Sequence, residues 1–281
     1  MSPYLRRRIQ DRLFRGACAL AALAAAVPLV LVVLVVAKTG VAALDRSFFT
    51  ETPVPVGEPG GGMLHAILGT LIMVGLAALG AVPIGILTGV YLAESRAGDR
   101  FAALVRFATD TLAGMPSIVI GLLVYALVVV PMGHFSAMAG SIALLVVMLP
   151  VITRTTEELV RLVPDTLREA GLALGLPRWR VTLRIVVRTA ASGLVTGAML
   201  AVARASGETA PLLFTALGSD MLSTALDQPM ASMPTQIYTY AVSPYEAWHA
   251  KAWGAALVLV GLVLMLNLLV RAVVRRPDRG R

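Results

Sequence analysis

RTTEELVRLVPDTLREAGLALGLPRWRVTLRIVVR, residues 154–188, is the stretch that decides the fold. It carries seven arginines between two apolar runs, and it is patterned. Pro164 can open a helix whose first turn is favoured by Asp165 and Glu169. Gly175 followed by Leu176-Pro177 reads as a helix stop and a new start. A second short helix then carries Arg178, Arg180, Arg184 and Arg188. The expected product is a helix–turn–helix lying against a membrane, with Leu167, Ala170, Leu174 and Trp179 as an apolar contact face.

The rest of the 281-residue chain explains why a membrane is invoked. Hydrophobic residues make up 58% of it and charged residues 14%, with a mean hydropathy of +0.82. Soluble domains are usually about one quarter charged. Several runs extend for about 20 residues without Asp, Glu, Lys or Arg, the length that crosses the hydrocarbon layer. The fold class is therefore all-α, a polytopic membrane protein with six spans: 16–37, 63–93, 111–130, 135–153, 192–217 and 252–270. The uncharged tract Thr111–Thr153 is too long for one crossing and is divided at the turn signal Pro131-Met-Gly-His-Phe-Ser136. The 22-residue run Gly16–Ala37 exceeds a signal-peptide core of roughly 7–15 residues, so an uncleaved first helix is expected.

Cations set the orientation. Five precede the first span, three lie between Arg96 and Arg106, seven between Arg154 and Arg188, and five between Arg271 and Arg281. The other side holds only Lys38, Arg46 and Lys251, which predicts cytoplasmic termini and a cytoplasmic loop over 154–190. The net charge of +8 is thus a matter of topology, and the basic stretches lack the interleaved aromatics of a base-stacking surface, so no nucleic acid is expected. Membrane lipid is. A lone Cys18 and three scattered histidines (His65, His134, His249) show no metal-ligand spacing; the histidines read as interfacial polar residues. The segment 218–251 holds Tyr238, Tyr240, Tyr245 and Trp248, which suit an interfacial helix or a platform for a soluble binding protein.

A second chemical feature lies in the fifth span, Ala203-Arg204-Ala-Ser-Gly207-Glu208-Thr209-Ala-Pro211. Twelve residues of rise put Arg204 about 18 Å into the span, where an ionised side chain costs at least about 2.5–3.5 kcal/mol. Glu208, four residues on, shares its helical face. Two readings stand: Arg204, Glu208 and Thr209 line a pathway for an anion, for which the guanidinium fork suits phosphate, or the pair is a structural ion pair between helices.

Residues 169–188 resemble the coupling motif of type I ABC-importer permeases, Glu-Ala-Ala, three residues, Gly, nine residues, Ile-x-Leu-Pro. Glu169, Ala170, Gly171 and Gly175 match at the right spacing and Ile185 follows; Gly171, Val187 and Arg188 replace Ala, Leu and Pro. The resemblance implies that Glu169, Ala170, Gly171 and Gly175 meet a separate ATPase; a basic helix held by anionic lipid accounts for the arginines but not for the turn at Gly175. Arg204 to Ala216, with Gly69-Thr70, Val82-Pro83-Ile-Gly85, Tyr91-Leu-Ala-Glu94, Gly114-Met-Pro116-Ser117 and Gln236-Ile-Tyr238, is similar to the PstA permeases of high-affinity phosphate importers. That implies an inner-membrane subunit paired with a PstC-like permease, a PstB-like ATPase dimer and an extracytoplasmic phosphate-binding protein. No cofactor is expected on the chain itself: its two lysines, Lys38 and Lys251, lie in no P-loop, so ATP would be bound by the partner. Permeases for sulfate or phosphonate, and a self-sufficient secondary transporter, are the alternatives.

Overall fold

The computed structural model describes residues 3–55, 58, 60–96 and 98–274. Arg275, Arg276, Arg279 and Arg281, counted above among the C-terminal cations, lie outside the described residues. Among the described residues the regular structure is helical throughout. Helix α1 (Pro3–Gly40) is followed by the short α2 (Arg46–Thr50), then α3 (Leu64–Glu94) and α4 (Arg100–Gly114). Next come α5 (Ser117–Val124), a π turn at Tyr125–Val129, α6 (Val130–Met132) and α7 (Ala137–Arg161). Helix α8 (Asp165–Ala173) precedes α9 (Arg178–Val181), which passes through a π turn at Thr182–Val186 into α10 (Val187–Ala205). The chain ends with α11 (Ala210–Leu213), α12 (Met233–Ala241) and α13 (Glu246–Val274).

The core is the close contact of α3 with α7. In α3, Met73, Ala77, Ala81, Gly85 and Gly89 recur every four residues on one buried face. Small residues at that spacing let membrane helices approach until their backbones touch. A Cβ on Gly85 would stand 2.8 Å from the Ile152 side chain, and one on Gly89 would stand 2.6 Å from the Thr153 carbonyl oxygen. Met73 meets Gly140 by the same measure. Each α3 residue thus faces one about 67 positions later, so α3 and α7 run parallel.

That direction settles how the chain gets from one to the other. Helix α3 ends where α7 ends, near the Arg-rich loop, so the segment between them must cross the whole layer. It does so in a bent form: α4 and the α5–α6 helix meet at 109° across Met115-Pro116. Proline disfavours helix in the residue before it, and Met115 is extended (φ −75°, ψ 135°). The third span is therefore broken, not the continuous 111–130 helix expected from hydropathy, and it supplies the sixth crossing beside five long apolar helices. Gly133 (φ +75°) closes α6, and the Ser136 hydroxyl caps α7 by accepting from the Ala139 N–H.

Three further expectations change. Helix α7 runs to Arg161 rather than stopping at 153, so Arg154, Glu157 and Glu158 are helical. The arginine helix of the loop does not end before the fifth span: Arg178–Ala205 is one continuous span. The Pro at 188 that the coupling motif would carry is Arg188 here, and nothing breaks the helix. The fifth helix stops at Ala205, well short of Leu217. His65, at the start of α3, is buried within the protein, with neither ring nitrogen bonded.

Gly75 lies on the open side of α3, where an added Cβ would meet nothing within 4 Å. Gly89→Ala should therefore lower the unfolding temperature in detergent by the equivalent of about 1–3 kcal/mol, the usual result of overpacking, while Gly75→Ala leaves it unchanged or raises it. Equal effects of the two would show that the α3–α7 approach does not govern stability.

Candidate functional site

The first site is the break in the fifth span. Pro211 offers no N–H, and its ring crowds the carbonyl four residues back, at Gly207. Such a proline kinks or ends a helix, and here α10 ends at Ala205. Gly207 and Glu208 N–H groups close short turns on the carbonyls of Arg204 and Ala205 (3.1 Å each), and the Ser206 hydroxyl bonds back to the Val202 carbonyl (2.8 Å). Thr209 stands at the N-cap of α11 without a side-chain bond to it.

Depth follows from register. Gly193 packs on Leu159 and Gly197 on Thr155, so α10 runs antiparallel to α7. Continued for two turns, this register brings Arg204 level with Met148, at the middle of α7; Met148, Ala201, Val202 and Ala205 do share one core cluster. Irregular backbone at that depth is tolerated only where protein covers it or where it lines a water-filled cavity. Protein covers part of it: Gly121 of α5 packs so closely on Pro211 that a Cβ would stand 2.7 Å from the Pro211 Cα. Helix α5, just past the break of the third span, thus packs on the short helix that follows the break of the fifth. Arg204 is left out of this cover. Its side chain is 64% exposed, and its Nε stands 3.8 Å from Glu208 Oε1, too long for a hydrogen bond. Glu208 lies past the end of the helix, with its side chain only 16% exposed.

The second site is the loop at the Arg-rich end. Helix α8 ends in a Schellman turn: Gly175 is left-handed (φ +76°), its N–H bonds the Leu172 carbonyl (2.9 Å), and the Leu176 N–H bonds the Gly171 carbonyl (3.2 Å). Gly171 is buried, and a Cβ there would stand 2.7 Å from Ile185 Cδ1. That contact explains a glycine where the coupling motif has alanine. Glu169 and Ala170 are exposed, as are Leu172, Leu174 and Trp179. The structure therefore brings Glu169, Ala170 and Gly175 onto one uncovered helix end, with Gly171 turned inward. It keeps them apart from Arg204, Glu208 and Thr209, which lie at mid-depth.

Residues 81–279 match the model of the family described as "Binding-protein-dependent transport system inner membrane component". The chain belongs to this family. Among its curated relatives is the phosphate transport system permease protein PstA of Haemophilus influenzae, 47% identical over 233 residues, covering 83% of this chain and 82% of that protein. PstA 1 of Mycobacterium tuberculosis is 41% identical over 283 residues, covering 98% and 92%. Among solved structures, a methionine ABC transporter in an inward-facing form superposes with a TM-score of 0.65 at 22% identity, over 77% of this chain and 96% of that one. A bacterial alginate ABC transporter gives 0.65 at 15% identity, over 97% and 99%. The permease therefore has the type I ABC-importer membrane fold.

Sequence reasoning missed a charged cluster at the Arg-rich end. Glu157, 3% exposed, accepts from Arg106 Nε at 2.7 Å and pairs with Arg161 at 2.5 Å. Arg106 also donates to Ser95 Oγ (3.0 Å) and to the Leu92 carbonyl, tying α4 to the end of α3. The signal was present: Ile152, Thr153, Thr156, Glu157 and Val160 continue the buried face of α7 at helical spacing. Glu157→Gln should destabilise the permease by about 3 kcal/mol, the low end for breaking a buried ion pair, because the arginines it abandons can still reach water. Glu158→Gln, at a 67% exposed position, should shift thermal unfolding by no more than about 0.5 kcal/mol.

Proposed function

We propose that the chain is one of two permease subunits of an ATP-driven importer of inorganic phosphate. In this reading the Arg-rich end and both termini are cytoplasmic. A PstC-like permease completes the pathway, a PstB-like ATPase dimer engages α8, and an extracytoplasmic phosphate-binding protein delivers substrate at the opposite end.

The observation that carries the reading is Arg204. An exposed guanidinium at the depth of mid-α7 cannot face lipid without a cost of several kcal/mol. It must face a partner subunit or water, and a pathway between two permeases supplies both. With its donors uncommitted and its carboxylate 3.8 Å away, it is free to take an anion. Glu208, anchored past the helix end, keeps a carboxylate near the guanidinium until the anion arrives, and Thr209 follows it in the chain with an uncommitted hydroxyl. The names of the relatives, over nearly their full lengths, favour phosphate as that anion. The uncovered surface of Glu169, Leu172, Leu174 and Trp179 fits a docking face better than a lipid-bound helix, since the apolar side chains sit beside the acid on the exposed end of the loop. At the far end, a cavity of about 540 Å³ lined by Pro53, Asp220, Gln236, Tyr240 and Trp248 gives a delivered substrate room to enter.

Labelled phosphate uptake in cells lacking this chain tests the reading, with sulfate and arsenate as competitors. Wild type restores uptake that arsenate blocks and sulfate does not; inhibition by sulfate alone would make this a sulfate permease. Arg204→Gln should reduce uptake about 10- to 100-fold, matching roughly 1.5–3 kcal/mol for a hydrogen bond to a charged group. Unchanged rate and affinity would remove Arg204 from the pathway. Glu169→Lys should lose the ATPase on copurification while the permease still reaches the membrane; retention of the ATPase would sink the docking assignment.

A further inference from the structure

Arg168 sits one residue before the docking surface and turns the other way. Its side chain is 19% exposed, whereas its neighbour Glu169 is exposed. A guanidinium has five N–H donors in a rigid fork, and here all five are used. Nε and Nη2 both reach Glu94 Oε1 (3.2 and 3.1 Å), at the last residue of α3. Nη2 also donates to the Val160 carbonyl (2.9 Å), in the last turn of α7. Nη1 donates to the Val163 carbonyl just beyond α7 and to Asp165 Oδ1 (3.0 Å) in the first turn of α8. One side chain on α8 therefore grips the ends of both core helices, adding a charged donor to carbonyls at and just beyond the C-terminus of α7.

Apolar packing ties α8 to the core only indirectly. Of α8, only Gly171 is buried, against Ile185 and Val181, which in turn pack with Val90 of α3 and Val160 of α7. Arg106 meanwhile binds the end of α3 to α4 and α7 through Leu92, Ser95 and Glu157. The ends of α3, α4 and α7 are thus already one unit, and Arg168 is the direct polar tie from α8 to it.

We propose that Arg168 is the positioning residue that converts movement of α8 into movement of the α3–α7 core, separate from the residues that hold the ATPase. The proposal rests on the reading that α8 receives the ATPase. Losing the fork should disconnect the two ends of the device while leaving each in working order. Lysine keeps the charge but cannot reach three elements at once.

The test uses the full complex, with partner permease, ATPase and binding protein, reconstituted in vesicles. In Arg168→Lys the ATPase copurifies as in wild type and hydrolyses ATP, but phosphate carried per ATP falls roughly tenfold, within the range of inter-site couplings. Stimulation of hydrolysis by the loaded binding protein is lost. A merely structural role would lower yield and unfolding temperature without changing the transport-to-ATP ratio of the folded fraction. A wild-type ratio in Arg168→Lys overturns the proposal, and so does loss of the ATPase, which would make Arg168 a docking residue. Should the lysine variant not assemble, Glu94→Gln, which keeps the carbonyl bonds, must lower the ratio in the same direction. The double variant should be no worse than Arg168→Lys alone; additive losses refute a shared joint. If wild type itself brings down no ATPase, the coupling reading fails, which is a separate result from a coupled complex indifferent to Arg168.

Discussion

The parallel contact of α3 with α7 is the constraint on which the rest depends. Glycine at 85 and 89 lets the two backbones touch, and the touch fixes their register along the full length of the pair. At one end this register brings the Leu92 carbonyl, Glu94, Glu157 and Val160 within reach of two arginines. At the other it sets Gly140 against Met73, Leu212 and Ala216, which seats the chain beyond the break in the fifth span. The loop that follows then folds over the start of α7. Its carbonyls at Thr215, Gln228 and Leu226 accept from the N–H groups of Ser136, Ala137 and Met138, which would otherwise have no partner.

Six crossings, their order and the Arg-rich end were legible because they rest on length and composition. The apolar runs are long, and the charges are placed one-sidedly. The breaks were not legible from the same data. Prolines recur inside and beside the spans, and hydropathy treats them alike. Pro28, Pro83 and Pro150 lie within unbroken helices. Pro116 and Pro211 mark the two sharp interruptions. What separates them is tertiary. The break at 211 is covered because Gly121 of α5 packs on Pro211, a contact between residues 90 positions apart. No window of sequence contains it.

The candidate site was legible in part for the same reason. Arg204 and Glu208 stood out because charge is rare in an apolar run. Their geometry did not, since a continuous helix would place them on one face, whereas the chain leaves the helix between them. The coupling motif fared similarly. Gly175 is left-handed, as its place after a helical run requires, and the turn could be read directly. The partner of Gly171 could be named only once α9 and α10 proved to be one continuous helix, which carries Ile185 back over α8.

Counting cations also hides a division of labour among them. Topology asks only that arginines lie at one end, and any of the twenty would serve. The fold asks for particular ones. Arg106 and Arg168 are drawn inward onto carbonyls and carboxylates of helix ends, where a planar fork with five donors has uses that a point charge lacks. Arg178, Arg180, Arg184 and Arg188 remain exposed along the start of the fifth span. Arg204 belongs to neither group, standing alone at mid-depth with its donors open. One residue type therefore does three physical jobs in this chain. Position relative to the α3–α7 register, rather than local sequence, decides which: level with the helix ends an arginine becomes a fastener, beyond them a surface charge, and halfway along the group we propose takes the anion.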